Sequence, residues 1–231
     1  MLVNTEGIVF NSIKYGESSQ ISKVYTKEFG LLSIISSSSS KSKQKNRMYF
    51  QALSAISISI YHKNNSSLHR LKEVSFNSKY GFPSQDMSVN AIKFFIAEVL
   101  TSLIREEERN QNMYEFLAHK VAELNSEKIN TTCFHIDFLF DLSAFLGILP
   151  SFDISAKYFD LEEGEMTHIK PMHNNILDSV ECQRIQDYIS KKQQTKGERK
   201  VVLNALIKYY RIQMGGLDKL KSKEILEAVF A

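Results

Sequence analysis

Apolar and polar positions alternate through the first third of the chain. Ile56, Ile58 and Ile60 are separated by Ser57 and Ser59, the period of two expected of a strand with one buried face. Similar short segments, Gly7-Ile8-Val9-Phe10, Ile21 to Thr26, Gly30 to Ile35 and Leu68 to Phe76, are set apart by turn material. The turns are Tyr15-Gly16-Glu17, Glu28-Phe29-Gly30 and Asn64-Asn65-Ser66-Ser67. Five short antiparallel strands in residues 1 to 80 meet the requirement of a small closed barrel of the OB or SH3-like kind. Alternation alone does not choose between the two.

After Pro83 the period changes. Ile92, Phe95, Ile96, Val99, Leu100, Leu103 and Ile104 recur at three- and four-residue spacing, one continuous stripe on a helix that Ser88 is placed to cap. A second helix is expected over residues 112 to 128, burying Phe116, Leu117, Val121 and Leu124. A third, over 132 to 146, carries Phe134, Phe138, Leu139, Leu142 and Leu146 and is stopped by Gly147 and Pro150. Because it is apolar on most faces, the third is expected at the centre of its domain. Further helices are expected over 177 to 190, 198 to 214 and 221 to 229, with an irregular acidic stretch at 151 to 176. The fold class is therefore α+β: a five-stranded antiparallel barrel over 1 to 80, then an all-α helical domain over 81 to 231.

A hydrophobic content of 43% in 231 residues suffices for an ordinary core. The two cysteines, Cys133 and Cys182, form no CxxC pair, which argues against a disulfide framework and a thiolate zinc site. No basic segment precedes an apolar run at the N-terminus, and no stretch reaches the roughly 20 apolar residues of a membrane span; a cytoplasmic protein with no membrane partner is expected. The net charge of +3 hides three blocks. Residues 1 to 80 hold 11 Lys+Arg against 4 Asp+Glu, residues 81 to 190 hold 8 against 18, and residues 191 to 231 hold 10 against 4. The two ends of the chain are thus suited to anionic partners.

The most informative segment is Ser36-Ser37-Ser38-Ser39-Ser40-Lys41-Ser42-Lys43-Gln44-Lys45-Asn46-Arg47. In an extended conformation Lys41, Lys43, Lys45 and Arg47 point the same way and follow a phosphate backbone. A solvated low-complexity loop is the plainer reading of the same residues. Stacking platforms usually accompany such cations in single-strand binders. Lys14-Tyr15-Gly16, in the first loop, offers a cation, a ring and a turn, and Tyr49 lies beside Arg47; Tyr25 and Phe50 are assigned to the core. No Gly-rich phosphate loop, HExxH or GxSxG is present, so no catalytic residue is assigned and an enzyme is not expected. His168, His173 and Cys182 follow no established metal-ligand spacing. On the helix near the C-terminus, Arg199, Lys200, Lys208 and Arg211 flank Leu203, Leu206 and Ile207, the pattern of an apolar groove with a cationic rim.

Several of these segments together resemble one family. Thr5-Glu6-Gly7-Ile8-Val9, Tyr15-Gly16-Glu17, Thr26-Lys27-Glu28-Phe29-Gly30-Leu31-Leu32-Ser33, a basic loop and Leu71-Lys72-Glu73 are similar, in order and spacing, to the N-terminal half of the bacterial RecO DNA repair proteins. The likeness continues through Phe145-Leu146-Gly147 with Pro150, Tyr209-Tyr210 and Leu220 to Leu226. The resemblance implies an N-terminal OB-fold, a helical domain and a recombination mediator of the RecF pathway, cytoplasmic and associated with the nucleoid. It implies a protein that binds single- and double-stranded DNA, anneals complementary strands, and works with RecR to load RecA onto DNA covered by single-strand-binding protein. The acidic C-terminal tail of that last protein is the partner implied for the basic end of the chain. Many family members carry a four-cysteine zinc module after the position of Pro150. Residues 151 to 180 hold no cysteine, so no zinc and no other cofactor is expected. An OB-fold RNA-binding protein and a protein-interaction scaffold are the two other readings; preference for RNA marks the first, and weak, salt-independent nucleic-acid binding the second.

Overall fold

The computed structural model describes residues 1–37, 47–63, 66–105, 108–127, 129–152 and 156–230. They form two compact units. The first comprises Met1–Thr131 with Leu220–Val229, and the second Thr132–Lys219 with Phe230.

The first unit is built on five strands, β1 (Leu2–Tyr15), β2 (Ser19–Thr26), β3 (Gly30–Ser37), β4 (Ala55–Tyr61) and β5 (His69–Phe76), which close into a barrel in the order β1-β2-β3-β5-β4. The barrel is mixed and not wholly antiparallel. β3 and β5 pair in parallel through Ile34 with His69 and Ile35 with Arg70. Closure forces this: β4 occupies the place between β5 and β1, so β5 meets β3 pointing the same way. The inward parity is apolar, and Val9, Val24, Leu32, Ile34, Phe50, Ile56, Ile58 and Ile60 make the core. Each contributes about 1.5–3 kcal/mol by leaving water. Gly7 faces Val24 so closely that a side chain there would collide with it. Bulges at Phe10 on β1, between Val9 and Asn11, and at Lys72 on β5, opposite Ser59 and Ile60, sharpen the coiling that closure needs.

Two helices follow in this unit, α1 (Met87–Leu103) and α2 (Gln111–Leu124). The expected stripe on α1 is buried, with Ile92, Phe95, Ile96, Val99 and Leu100 fully so. Its N-cap is Asp86 and not Ser88: the Asp86 carboxylate accepts the Ser88 N–H at 2.7 Å and the Val89 N–H at 3.1 Å. A carboxylate caps more favourably than a hydroxyl because it also meets the positive end of the helix dipole. On α2, Leu117, Val121 and Leu124 are buried as expected, whereas Phe116 is half-buried and Met113 and Tyr114 take inner positions.

The second unit holds α3 (Thr131–Phe145), α4 (Ser179–Ile189) and α5 (Lys196–Met214). Ile136, Phe138, Leu139 and Leu142 of α3 are buried, and the Tyr210 hydroxyl of α5 donates to the Leu139 carbonyl at 2.7 Å. The expectation of an all-α domain is corrected by a small sheet, ordered β7-β6-β8, of β6 (Tyr158–Asp160), β7 (Glu165–Thr167) and β8 (Ile176–Leu177). Asp160 makes the hairpin possible. Its Oδ1 accepts the N–H groups of Glu162 and Glu163, its carbonyl accepts Gly164 N–H, and Gly164 takes the positive φ of 75° that the turn requires. The remaining helix, α6 (Lys221–Val229), belongs to the first unit and packs on α1.

Candidate nucleic-acid interface

The outward parity of the barrel is apolar at both ends of its strands, and among the described residues helices cover one of them. Ile8, Phe10, Tyr25 and Leu31 are buried, the Phe10 and Tyr25 rings stacked 5.7 Å apart, where α1 and α2 lie against β1. At the other end, register places Ile13 beside Ile21, Ile21 beside Ile35, Ile35 beside Arg70, Arg70 beside Tyr61 and Tyr61 beside Leu2. This transverse row runs around all five strands and stays open to solvent: Ile13 is 60% exposed, Tyr61 47% and Leu2 46%. Adjacent strands lie about 4.8 Å apart, so the five steps give a track of roughly 24 Å.

The row is cationic as well as apolar. Arg70 sits within it and is exposed, and Lys23, one step along β2, is paired in register with Asn11 and Ser33. The start of β5 is held firmly behind it. His69 is buried, its ring stacked 4.7 Å from that of His62, which stacks in turn 4.5 Å from Phe29. Arg70 and Tyr61 therefore project from a packed backbone, one as a cation and one as a ring. That combination suits an extended, anionic chain bearing flat rings, crossing the strands at right angles.

Of the residues singled out in the sequence, Lys14 and Tyr15 are exposed and lie at the end of β1 rather than in the loop, beside Gln20 and Ser19 of β2. They adjoin Ile13 and the row. Arg47 is exposed in a helical turn, residues 47–49, while Tyr49 is half-buried against the barrel core with its ring 4.7 Å from that of Phe76. Lys41, Lys43 and Lys45 lie outside the described residues. A cavity of about 790 Å³ with Tyr49, Leu71 and Val74 in its wall also holds Glu28 beside two ion pairs, Lys27 3.8 Å from Glu6 and Lys72 3.6 Å from Glu73; it is not the cationic surface. Sequence reasoning missed Ile13, Ile21, Ile35, Tyr61 and Arg70. The signal lay in β1 itself, where apolar residues occupy both parities before the bulge and Ile13 and Tyr15 hold one parity beyond it.

The basic C-terminal helix is arranged differently from the expected groove. Leu203, Leu206 and Ile207 are buried in the second unit and line no open channel. Lys208 donates to the Ile176 carbonyl at 2.8 Å, Arg199 to the Gln194 carbonyl at 2.7 Å, and Arg211 to the Leu217 carbonyl at 3.1 Å with Asp218 3.3 Å away. Three of the four cations thus tie down backbone, and Arg211 and Lys200 are exposed. His173 pairs with Asp160 at 3.2 Å, and burial pushes the Cys182 thiol up to about 11. Among the described residues no three His, Cys, Asp or Glu side chains converge as metal ligands, and no helix is long and apolar enough to cross a membrane.

Family models describe both halves of the chain. "Recombination protein O N terminal" matches residues 1–80 and "Recombination protein O C terminal" matches residues 84–184. Curated relatives align over their whole length. The DNA repair protein RecO of Flavobacterium psychrophilum is 33% identical over 245 residues, and that of Bacteroides fragilis 31% over 241, each comparison covering 100% of both chains.

Proposed function

Because the chain belongs to the RecO family of DNA repair proteins, we propose that it is a recombination mediator. In this reading it binds single-stranded DNA across the outer face of its barrel and anneals complementary strands without covalent chemistry. The transverse row of Ile13, Ile21, Ile35, Arg70 and Tyr61 carries the reading. Its rings and aliphatic side chains contact bases and sugars, while Arg70 and Lys23 meet phosphates. Lys14 and Tyr15 extend the surface, and Lys41, Lys43, Lys45, Arg47 and Tyr49 supply further phosphate and base contacts. Screening phosphate repulsion on one cationic surface while leaving base edges accessible accelerates the pairing of two strands, and double-stranded DNA is retained through the same phosphates.

Working with RecR to load RecA onto DNA covered by single-strand-binding protein follows the family role, with action in the cytoplasm at the nucleoid. The acidic tail of single-strand-binding protein is assigned to the basic end of the chain, around Arg199, Lys200, Leu203, Leu206, Ile207, Lys208 and Arg211. Of these, Lys200 and Arg211 are exposed, and the buried Leu203, Leu206 and Ile207 support the helix.

The test is fluorescence anisotropy of a labelled single strand over a salt series, for the native protein and for a variant with alanine at Lys41, Lys43, Lys45 and Arg47. Losing four phosphate contacts lowers the log–log salt slope by nearly 3, at about 0.7 per contact. A native protein that binds no nucleic acid, or that prefers RNA to DNA of the same sequence, overturns the reading.

A further inference from the structure

A second group of rings stands at the opposite end of β5. Phe76, the last residue of that strand, meets Tyr49 edge-on at 4.7 Å and Phe82 edge-on at 6.2 Å. Phe82 is 63% exposed and stands one residue beyond Gly81, which closes a 3-10 turn, Ser78–Tyr80. That turn is fixed at both ends. Asn77 accepts Lys79 N–H through its side chain, and the Asn125 amide donates to the Tyr80 carbonyl at 2.8 Å. The exposed ring is therefore presented by a rigid support.

Two cations stand close along the chain to rings of this group. Lys79 is exposed, with its ammonium 5.2 Å from the centre of the Tyr80 ring, and Arg47 is exposed two residues before Tyr49. No residue from Phe76 to Phe82 is acidic. Phe82 lies between the two family models, which end at residue 80 and resume at residue 84. Arg70 and Phe76 stand six positions apart along β5, which places this ledge about 20 Å from the transverse row.

We propose that the ledge of Phe82, Phe76 and Tyr49, flanked by Lys79 and Arg47, is a second base-stacking site for single-stranded DNA, separate from the row. The proposal rests on the nucleic-acid reading of the barrel and extends it: one barrel then holds single strand at two places. An exposed ring on a rigid turn loses little freedom when a base stacks on it, and the two cations receive the adjoining phosphates.

The chain contains no tryptophan, so Phe82→Trp and Tyr61→Trp each install a single reporter, one on the ledge and one on the row. Both positions are exposed, and the variants keep the native fold. Oligothymidylate is titrated into each while tryptophan emission is read. Quenching in both proteins is the expected result, and Phe82→Ala weakens binding about tenfold with its salt slope unchanged, as loss of a stacking contact without loss of a cation requires. Quenching of Tyr61→Trp alone overturns the ledge and leaves the row standing. Quenching of Phe82→Trp alone supports the ledge and overturns the row. Quenching in neither overturns both.

Discussion

The carboxylate of Glu98, in the fourth turn of α1, caps a helix that begins 123 residues later. Its Oε1 accepts the Lys221 N–H at 3.1 Å, and its Oε2 accepts the Ser222 N–H at 2.8 Å together with the Ser222 hydroxyl. Orphan donors at the start of α6 are thus satisfied by a distant side chain, whose charge also meets the positive end of the helix dipole.

Glu98→Ala is expected to cost roughly 1–2 kcal/mol, the range for losing a helix cap. The loss falls first on α6, so hydrogen exchange across residues 221–229 speeds up before the barrel amides respond. Glu98→Gln keeps an acceptor and loses the charge, and its effect is smaller.

Lys93 lies on the buried side of α1 and donates to Asn125 Oδ1 at 2.6 Å. Burial lowers its pKa from 10.5 to about 8. The folded value lies below the unfolded one, so between these limits the unfolded chain holds the extra proton and stability rises with pH. The full gain is about 3 kcal/mol at most. Above pH 10 the buried Tyr114 and Tyr210 and the half-buried Tyr188 act the other way, since burial raises their pKa values. Urea unfolding of the native protein and of Lys93→Met at pH 7.5 to 10 isolates the lysine: the rise belongs to the native protein alone.

His135 titrates in the acid range. Burial first, and the charge of Arg199 second, lower its pKa from 6.5 to about 4. The unfolded chain takes up a proton that the folded chain refuses, and stability falls as pH drops from 6.5 towards 4, by up to roughly 3 kcal/mol. His135→Leu removes this component, which is read as a shallower loss of unfolding free energy between pH 7 and 4.5.

Five strands and six helices were legible because their apolar periods are long and regular, as in Ile56 to Ile60 and Ile92 to Ile104. The parallel pairing of Ile34 and Ile35 with His69 and Arg70 was not, since it arises from closure and not from local pattern. The β6–β8 sheet escaped because strands of three and two residues are too short to show a period. Lys14 and Tyr15 were singled out by their chemistry and lie exposed beside Ile13. Ile13, Ile21 and Ile35 were not, because an apolar residue in a strand reads as core. Whether the outward parity is covered, as at Tyr25, or open, as at Ile13, depends on where α1 and α2 lie. Leu203, Leu206 and Ile207 failed in the opposite sense: an apolar stripe beside cations read as a groove, and packing had already filled it.

The central claim is that single-stranded DNA crosses the barrel over Tyr61 and Arg70, and anisotropy of a labelled strand over a salt series, for Tyr61→Ala and Arg70→Ala, tests it most directly. Tyr61→Ala is expected to weaken binding about tenfold at every salt concentration with the slope preserved, as loss of a stacking ring requires. Arg70→Ala is expected to lower the slope by about 0.7, the share of one phosphate contact on a single strand. Native affinity and native slope in both variants would contradict the account and move the DNA site off this face of the barrel.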